Sequence, residues 1–311
     1  MFNFFNKKPT FGDMIDIWAE SCVIKSKDLR EVTIDSKLIH LKSLKLHCPL
    51  RKPLAEVKFA EIEEIKRVLR KTNSPKTTNM YLSMLKQFFR WSEKMEFIEK
   101  VPSIDNCPNR ELKPVDFMTL ENFDVFQKCT IEMMARPYHK SAEYNQRQNL
   151  WSNRILTFTG IRLKELAKLK WSEIDFENKM VTIKSAAYNK GKQRIIKMSP
   201  QAFDTFNTMP KFHRNHVYPF HGEGKFKHRN CINSILKQFD LPFKCYPTIF
   251  RPSFITWALS HNKMAIQEVS AYVGHEDIQT TAKYYTNKQA ILDASADFIE
   301  KLDFNKSRKI A

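Results

Sequence analysis

Two stretches in the middle of the chain carry cationic side chains that are suited to binding an anion or donating a proton. The first, TGIRLKELAKLKWSEID (159–175), places Arg162 just after a glycine turn, at the start of a predicted helix. Glu165 follows as a local partner for a cation. The second, YNKGKQR (188–194), places Lys190 in a predicted hairpin turn. A guanidinium offers a planar fork to an oxyanion, whereas an ammonium is a point charge.

Two further stretches, nearer the C-terminus, add a second arginine, an imidazole and two phenols. Arg251 lies in the first turn of a helix predicted for TIFRPSFITWALSHN. In VGHEDIQTTAKYYT, His275 follows Gly274 on a turn, and Tyr284 and Tyr285 come later. An imidazole titrates near neutral pH, and a tyrosine hydroxyl can act as a nucleophile. Taken singly, such residues are more often surface cations, structural histidines or packed rings.

The order and spacing of these residues give them a joint meaning. The set comprises an arginine in T-G-x-R-x-x-E-L, a hairpin lysine, a second helix-start arginine, a Gly-His pair and a tyrosine nine residues beyond that histidine. This set resembles the tyrosine recombinase (phage integrase) family. The resemblance is specific over residues 155–286 and weaker over the helical N-terminal region. The family pattern T-T-x-x-Y falls on Thr280, Thr281 and Tyr284, which implies that Tyr284 is the nucleophile and Tyr285 a packing neighbour.

The resemblance implies a reaction that breaks and reseals DNA strands. Arg162 and Arg251 would clamp the scissile phosphate and stabilise the charge that accumulates in the transition state. Lys190 would protonate the departing 5′-oxygen, and His275 would hydrogen-bond the phosphate or handle the tyrosine proton. Tyr284 would attack and form a 3′-phosphotyrosine. Because that covalent bond conserves the phosphodiester energy, the resemblance implies no cofactor and no metal ion.

Two positions depart from the family pattern. The second arginine motif of the family usually reads H-x-x-R, and in this chain Thr248 stands at the histidine position. A threonine hydroxyl can donate a hydrogen bond to a phosphate oxygen but cannot act as a base near neutral pH. The residue after Arg251, often histidine in the family, is Pro252. A proline is unfavourable beyond the first helical turn, so we expect Arg251 before or at the helix start.

The elements that must position these residues begin with a helical region over residues 1–100. Apolar residues recur at helical spacing in FGDMIDIWAESCVI, TIDSKLIHLKSLKLH, FAEIEEIKRVLRKT and SPKTTNMYLSMLKQFFRWSEKM. Ser74 and Pro75 suit the N-cap and first position of the fourth helix. The pattern predicts a four-helix bundle with basic exposed faces, which resembles the core-type DNA-binding domain of the family.

A linker and a larger second domain are predicted after this bundle. Residues 101–117 contain three prolines, several turn formers and little periodicity, which is typical of an interdomain linker. Residues 118–311 predict the catalytic domain, mainly α-helical with a small antiparallel β-sheet (α+β). In that domain MVTI and RIIKM are β-rich runs joined by a polar turn, which predicts a hairpin. Lys184 and Lys192 lie close to Lys190 in this hairpin and are alternatives for the general acid.

A last helix is predicted for NKQAILDASADFIEKLDF. Its apolar residues form one stripe: Ile291, Leu292, Phe298, Ile299 and Leu302. The helix packs either on its own domain or, as the resemblance implies, on a neighbouring subunit. The second arrangement would give a homotetramer on paired double-stranded DNA sites, each an inverted-repeat core site.

Charge and cysteine usage bear on the partner and the compartment. Lys and Arg total 52 against 34 Asp and Glu, which gives a net charge of +18 and favours a polyanionic partner. The six cysteines have no C-x-x-C spacing, which indicates free thiols in a reducing cytosol. The start, MFNFFNKKPTF, is too short in its apolar part for a signal peptide. We therefore expect a cytoplasmic protein that does not span the membrane.

These observations predict a site-specific recombinase that serves a mobile element or the resolution of plasmids or chromosomes. Little chain precedes the first predicted helix, so an additional arm-type DNA-binding domain is not expected. Three alternatives remain. The first is a DNA-binding protein of the same fold that has lost catalysis, suggested by Thr248. The second is a type IB topoisomerase-like enzyme. The third, an unrelated basic RNA-binding protein, explains the charge but not the ordered set of residues.

Overall fold

The computed structural model describes residues 8–29, 31–108, 115–136, 140–184, 193–223, 226–260 and 264–282. The chain divides into two compact units, Met1–Leu112 and Lys113–Ala311. The division falls inside the segment that the sequence predicts as a linker. Within the described ranges, no helix is both long enough and apolar enough to cross a bilayer.

The first unit is built from helices, as its apolar spacing predicts. In chain order these are α1 (Phe11–Trp18), α2 (Glu31–Lys45), α3 (Phe59–Thr72) and α4 (Pro75–Lys94). Helix α1 continues as a π-helix over Ala19–Ile24. Ser74 accepts the backbone N–H of Thr77, and Pro75 takes the first position of α4, as predicted.

The core of the first unit is aromatic and aliphatic. Phe11, Phe88 and Phe89 are fully buried, with ring centroids 5.1, 5.8 and 5.2 Å apart in the three pairs. Tilted and edge-on pairs at such distances are favourable because the ring edge of one meets the electron-rich face of the other. The apolar stripes of the helices therefore meet in one core.

The beginning of the predicted linker packs on this core. Ile104 and Cys107 are buried in it. The side-chain amide of Asn79 in α4 donates to the Cys107 carbonyl at 3.0 Å and accepts the Cys107 N–H at 2.7 Å. At the other end of the linker, Met118 is buried in the second unit, and its N–H donates to the hydroxyl of Ser253 at 2.8 Å. The connection between the units thus lies within residues 108–117.

The second unit combines helices with a small antiparallel sheet, which confirms the predicted α+β class. Its helices are α5 (Leu120–Ala135), α6 (Lys140–Thr159), α7 (Leu163–Leu166), α8 (Pro200–Thr208), α9 (Lys227–Gln238), α10 (Phe250–Ser260), α11 (Ile266–Val273) and α12 (Ile278–Ala282). Strands β1 (Ile174–Asp175), β2 (Met180–Ile183) and β3 (Arg194–Lys197) pair antiparallel in that order. The predicted hairpin is β2–β3, with Ile183 opposite Arg194. Strand β1 has only two residues, too short a pattern to predict.

Helix α6 packs against α5, α8, α9 and α10 and carries buried amide side chains. The Tyr218 hydroxyl lies 3.0 Å from Nδ1 of His228, whose Nε2 lies 2.8 Å from Oδ1 of Asn153. Asn153 donates to Asn149 at 3.0 Å, and Asn149 donates to Gln146 at 3.1 Å. We call these five residues the polar ladder. Each member is buried, so its hydrogen bonds replace those that water would otherwise make.

Candidate active site

Gly160 ends α6 in a corner that requires glycine. Its φ of +62° lies in the left-handed region, where a Cβ is unfavourable. A Cβ at this position would also lie 2.3 Å from Cδ1 of Phe254 in α10. The corner therefore brings the chain after α6 close to α10, and Arg162 follows it as the N-cap of α7.

Arg162 and Glu165 form a compact pair around the start of α7. The carboxylate of Glu165 accepts the Arg162 backbone N–H at 2.8 Å, which caps the helix, and accepts Nη1 of the same arginine at 2.8 Å. Nη2 of Arg162 donates to the Gly274 carbonyl at 3.0 Å. Glu165 thus pairs with a cation, as the sequence suggests. The Arg162 side chain remains 43% exposed, so its guanidinium is open to a ligand.

Arg251 lies in the first turn of α10, which begins at Phe250. Pro252 therefore occupies an early helical position, where its missing N–H costs no intrahelical hydrogen bond. Nη1 of Arg251 donates to the Gly160 carbonyl at 2.8 Å, and Nη2 donates to the Val273 carbonyl at 2.6 Å. Arg251 joins the α6 corner to the end of α11.

Arg194, at the start of β3, is a third arginine of the site, and the motifs in the sequence did not mark it as a site residue. Its Nη1 and Nη2 donate to the two carboxylate oxygens of Glu165 at 3.0 and 2.8 Å. Its Nε donates to the Tyr272 carbonyl at 3.0 Å. The side chain is 17% exposed, and that of Glu165 only 4%. Burial raises the pKa of Glu165, but the hydrogen bonds from Arg194 and the Arg162 backbone outweigh it and lower that pKa to about 2.

The three guanidinium groups meet at the C-terminal end of α11. Each of three consecutive carbonyls accepts one guanidinium N–H: Tyr272 from Arg194, Val273 from Arg251 and Gly274 from Arg162. We call this set the arginine cluster. The last carbonyls of a helix lack intrahelical partners and carry the negative end of its dipole, so cations complement them. Gly274 ends α11 with φ +69°, and a Cβ there would lie 3.1 Å from Arg194.

His275 follows directly and faces the same cluster. Its Nδ1 and the hydroxyl of the buried Thr281 in α12 are hydrogen-bonded at 2.8 Å, and its backbone N–H donates to Ser270 at 2.9 Å. Burial, followed by the positive charges of Arg251 and the other two arginines, lowers the pKa of His275 to about 4. The imidazole is therefore neutral at neutral pH and can donate or accept a hydrogen bond.

The charges of the cluster determine what the site can bind. The single carboxylate of Glu165 pairs with two of the three guanidinium groups, those of Arg162 and Arg194, whereas Arg251 donates to backbone carbonyls, so positive charge is in excess. Planar guanidinium forks match the oxygens of a phosphate or carboxylate. The geometry thus fits an oxyanion held beside a neutral imidazole.

A sequence model described as the phage integrase family matches residues 132–290, slightly more than half of the chain. The chain belongs to the phage integrase family. The matched range contains the predicted site residues Arg162, Arg251 and His275, together with Arg194 and Glu165.

Curated and solved members of the integrase family resemble the chain to different extents. Prophage integrase IntR of Escherichia coli (strain K12) is 23% identical over 191 residues, which are 56% of this chain and 42% of IntR. The chain therefore spans less than half the length of that relative. The Tn1549 transposon integrase, in complex with a circular intermediate DNA, is 17% identical with a TM-score of 0.69, over 93% of this chain and 99% of that chain. The lambda integrase tetramer bound to a Holliday junction is 13% identical with a TM-score of 0.69, over 90% and 78%.

The remaining site residues predicted from the integrase resemblance have different outcomes. Thr248 lies exposed in the turn that precedes α10. Lys184, an alternative for the general acid, forms an ion pair at 2.7 Å with Glu173, whose side chain is 8% exposed. Lys190 and its other alternative Lys192 lie outside the described residues.

The predicted nucleophile and the last predicted helix also lie outside the described part of the chain. Helix α12 ends at Ala282, two residues before Tyr284, and residues 283–311 are not described. The choice between Tyr284 and Tyr285 therefore stays a prediction. Thr281 has a structural role that the T-T-x-x-Y pattern alone did not reveal, because its hydroxyl holds His275.

Within the residues that the structure describes, no three His, Cys, Asp or Glu side chains are grouped so that they could hold a metal ion. All six cysteines are free thiols. The polar groups that converge in the site are arginines, one carboxylate and one imidazole.

Proposed function

We propose that the chain is a site-specific DNA recombinase that cleaves and rejoins strands through a 3′-phosphotyrosine intermediate on Tyr284. The observation that supports this best is the arginine cluster. Arg162 and Arg251, separated by 89 positions in the sequence, both donate to carbonyls at the end of α11, beside His275. Family membership and the excess of positive charge agree with a phosphodiester as the bound oxyanion.

Each step of the proposed reaction exchanges one phosphoester bond for another, so the number of these bonds does not change. The Tyr284 oxygen attacks the scissile phosphorus, and the bond from phosphorus to the 5′-oxygen breaks. Arg162 and Arg251 stabilise the negative charge on the non-bridging oxygens. Lys190 gives a proton to the departing 5′-oxygen, and attack by a 5′-hydroxyl reverses the step and reseals the strand. The neutral His275 hydrogen-bonds the phosphate or receives the tyrosine proton.

A covalent-trapping experiment tests this proposal. Nicked suicide substrates are prepared from the DNA that flanks the gene, and the protein–DNA adduct is detected on a denaturing gel. We expect an adduct with the wild type and with Tyr285→Phe, and none with Tyr284→Phe, because only the latter lacks the attacking hydroxyl. DNA binding by Tyr284→Phe should stay nearly unchanged. Adducts with Tyr284→Phe but not with Tyr285→Phe would move the nucleophile by one residue.

The partner belongs to the same proposal. The net charge of +18 supports a DNA duplex. An inverted-repeat core site and a homotetramer on two paired sites are the finer parts of this proposal, for which the DNA-bound tetramer of lambda integrase is a precedent of shared fold. Sizing of the trapped complex by light scattering tests them. Four protomers on two duplexes are expected, and one protomer on one duplex would contradict the assembly.

The setting is part of the proposal as well. A role in moving or resolving a mobile element, plasmid or chromosome requires access to DNA, and so a cytoplasmic location. The six free thiols agree with a reducing compartment. Mapping the covalent cleavage positions on flanking genomic DNA distinguishes a defined site from random nicking, which would favour a type IB topoisomerase-like activity instead.

Thr248 favours a second candidate, a DNA-binding protein of this fold that has lost catalysis. It stands exposed where the family usually has histidine, three residues before Arg251. If the recombinase proposal holds, Thr248→Val loses one hydrogen bond to a charged group, about 1.5–3 kcal/mol, or roughly ten- to a hundredfold in rate. Wild-type protein that forms no adduct on its own site, but gains one with Thr248→His, would establish the second candidate.

A further inference from the structure

The family pattern in the sequence assigns no role to Arg194, although the structure places this residue in the arginine cluster. The Arg194 side chain is 17% exposed, whereas that of Arg162 is 43% exposed. All three of its guanidinium nitrogens donate hydrogen bonds to protein oxygens. Those partners belong to two other elements, α7 through Glu165 and α11 through Tyr272. A half-buried group whose guanidinium nitrogens all bond the protein is suited to holding its neighbours rather than a ligand.

The two partners of Arg194 are the supports of the residues that face the proposed phosphate. Glu165 holds Arg162 by its backbone N–H and by Nη1. Tyr272 lies in the last turn of α11, just before Gly274 and His275. The fork of Arg194 fixes both carboxylate oxygens, so the carboxylate cannot rotate away from Arg162 without breaking an ion pair.

The neighbourhood is shaped around the Arg194 side chain. Gly274 leaves space for it, since a Cβ at Gly274 would lie 3.1 Å from both Cδ and Nη1 of Arg194. Arg194 also begins β3, opposite Ile183 at the end of β2. One side chain thus ties the base of the β2–β3 hairpin to α7 and to the end of α11.

We propose that Arg194 is a positioning residue for the recombination reaction: it orients Arg162 through Glu165 and fixes the α11 end that carries His275. This inference rests on the proposed function and adds a residue to it. Lysine cannot replace Arg194 in this role, because an ammonium cannot bond both Glu165 oxygens and the Tyr272 carbonyl in one plane. A misplacement of about 1 Å in a reacting group can reduce a rate roughly a hundredfold.

The test compares Arg194→Lys, which keeps the charge, with Arg194→Gln, which keeps hydrogen bonding but removes the charge. Arg147→Lys is the matched control, since Arg147 forms an exposed ion pair with Glu143 on α6. We expect adduct formation on a suicide substrate to fall roughly 10- to 100-fold in both Arg194 variants and to stay unchanged in the control. DNA affinity should change less than threefold in Arg194→Lys. Wild-type rates in both variants would overturn the inference.

A pH profile separates positioning from loss of folding. Arg194 contributes to the positive charge that faces His275, together with Arg251 and Arg162, whereas Glu165 opposes it. Removing that charge in Arg194→Gln should shift the His275 titration, followed by NMR, upward toward its ordinary range, while Arg194→Lys should shift it less. A His275 titration that is identical in the wild type and Arg194→Gln would contradict a role at the site. Far-UV circular dichroism of each variant at the temperature of the titration checks that it is folded.

A second NMR measurement keeps the inference testable if the recombinase proposal itself fails. If wild-type protein forms no adduct on any fragment, the proposed function is wrong. The positioning of Arg162 by Arg194 can still be tested in that case. The side-chain Nε–H signal of Arg162 should then shift or broaden in Arg194→Lys and stay in place in Arg147→Lys. An Arg162 signal that Arg194→Lys leaves unchanged would show that Arg194 does not position Arg162.

Discussion

Phe11, Phe88 and Phe89 pack ring against ring inside the first unit, whereas the interior of the second unit contains the polar ladder and the Glu165–Arg194 pair. Among the described residues, the buried polar side chains of the first unit are the hydroxyls of Thr78 and Ser92. The second unit buries amides, an imidazole and a carboxylate. Its stability therefore depends on groups that need specific partners, while the first unit depends on apolar area and shape.

This difference bears on function. Buried polar groups with fixed partners hold a site in one geometry, because each alternative arrangement leaves a donor or acceptor unpaired. The arginine cluster lies in the unit that has such an interior. Substitutions that remove a polar partner should accordingly be costly in the second unit, and volume-conserving apolar changes should be mild in both.

The largest effect is expected for Glu165→Gln. The change leaves Arg194 and Arg162 without the carboxylate that both contact, and breaking a buried ion pair costs about 3–5 kcal/mol of unfolding free energy. Urea unfolding at neutral pH measures it. Glu143→Gln is the control, since its ion pair with Arg147 is 43% exposed on the Glu143 side, and such surface pairs contribute about 1 kcal/mol or less. Equal losses in the two variants would contradict the special status of the buried pair.

Acid titration sharpens the same comparison. The pKa of Glu165 in the folded protein, about 2, lies below its ordinary value of 4.5. The stabilisation from this group is therefore fully present above pH 4.5 and is lost as the pH falls toward 2. Unfolding curves of Glu165→Gln should lack this component of the acid loss. A variant that keeps the full acid dependence of the wild type would show that other carboxylates cause it.

Asn153→Leu should come next. Leucine fills a similar space but leaves the His228 ring N–H and the Asn149 amide oxygen without partners. Each unpaired buried group costs about 1–3 kcal/mol, so thermal or urea unfolding should show a loss of roughly 2–4 kcal/mol. Asn230→Leu, at an exposed position of α9, is the control and should change the unfolding free energy by about 0.5 kcal/mol or less. A loss at Asn153 no larger than at Asn230 would mean that the ladder does not contribute to stability.

His228 gives the second unit a pH dependence near neutrality. Burial lowers its pKa to about 3, so the unfolded chain, with a pKa near 6.5, takes up a proton that the folded protein does not. The stabilisation that comes from the neutral, buried His228 is therefore fully present above pH 6.5. It falls by about 1.4 kcal/mol per pH unit as the pH drops toward 3. His275, whose pKa is lowered to about 4, adds a parallel loss. His228→Gln should remove the part of the pH dependence of the unfolding free energy between pH 6 and 5 that comes from the uptake of one proton. An unchanged pH dependence would show that other groups cause it.

The two units also differ in how much of their structure could be predicted from the sequence. The helices of the first unit could be predicted because apolar residues such as Phe88 and Phe89 recur at helical spacing. The convergence of Arg162, Arg251 and His275 could be expected from a family pattern, since local periodicity relates residues only a few positions apart. Arg194 could not be predicted, because its partner Glu165 lies 29 positions away and an arginine at a strand start is normally solvated.

The polar ladder could not be predicted from the sequence either. A sequence such as YNQRQNLWSNR predicts a helix, and its amides suggest a polar, exposed face. Gln146, Asn149 and Asn153 are hydrogen-bonded to one another within α6, and His228 of α9 meets the Asn153 amide from a position that only the tertiary fold supplies. Propensity and pattern describe one element at a time, whereas His228 and Tyr218, which complete the ladder, lie outside α6.

The smallest effect is expected for a methionine in place of a buried leucine in either unit. Leu85 in α4 is fully buried in the first unit, and Leu156 in α6 is 1% exposed in the second. Leucine and methionine have similar volumes, and methionine adapts to irregular space, so each change should cost less than about 1.5 kcal/mol of unfolding free energy. Urea unfolding of Leu85→Met and Leu156→Met measures both. If the two units differ in their polar partners and not in how tightly they pack, the two losses should agree closely. A cost for Leu156→Met well above that for Leu85→Met would show that the two units differ in packing, because leucine makes no hydrogen bonds and the methionine sulfur is only a weak acceptor.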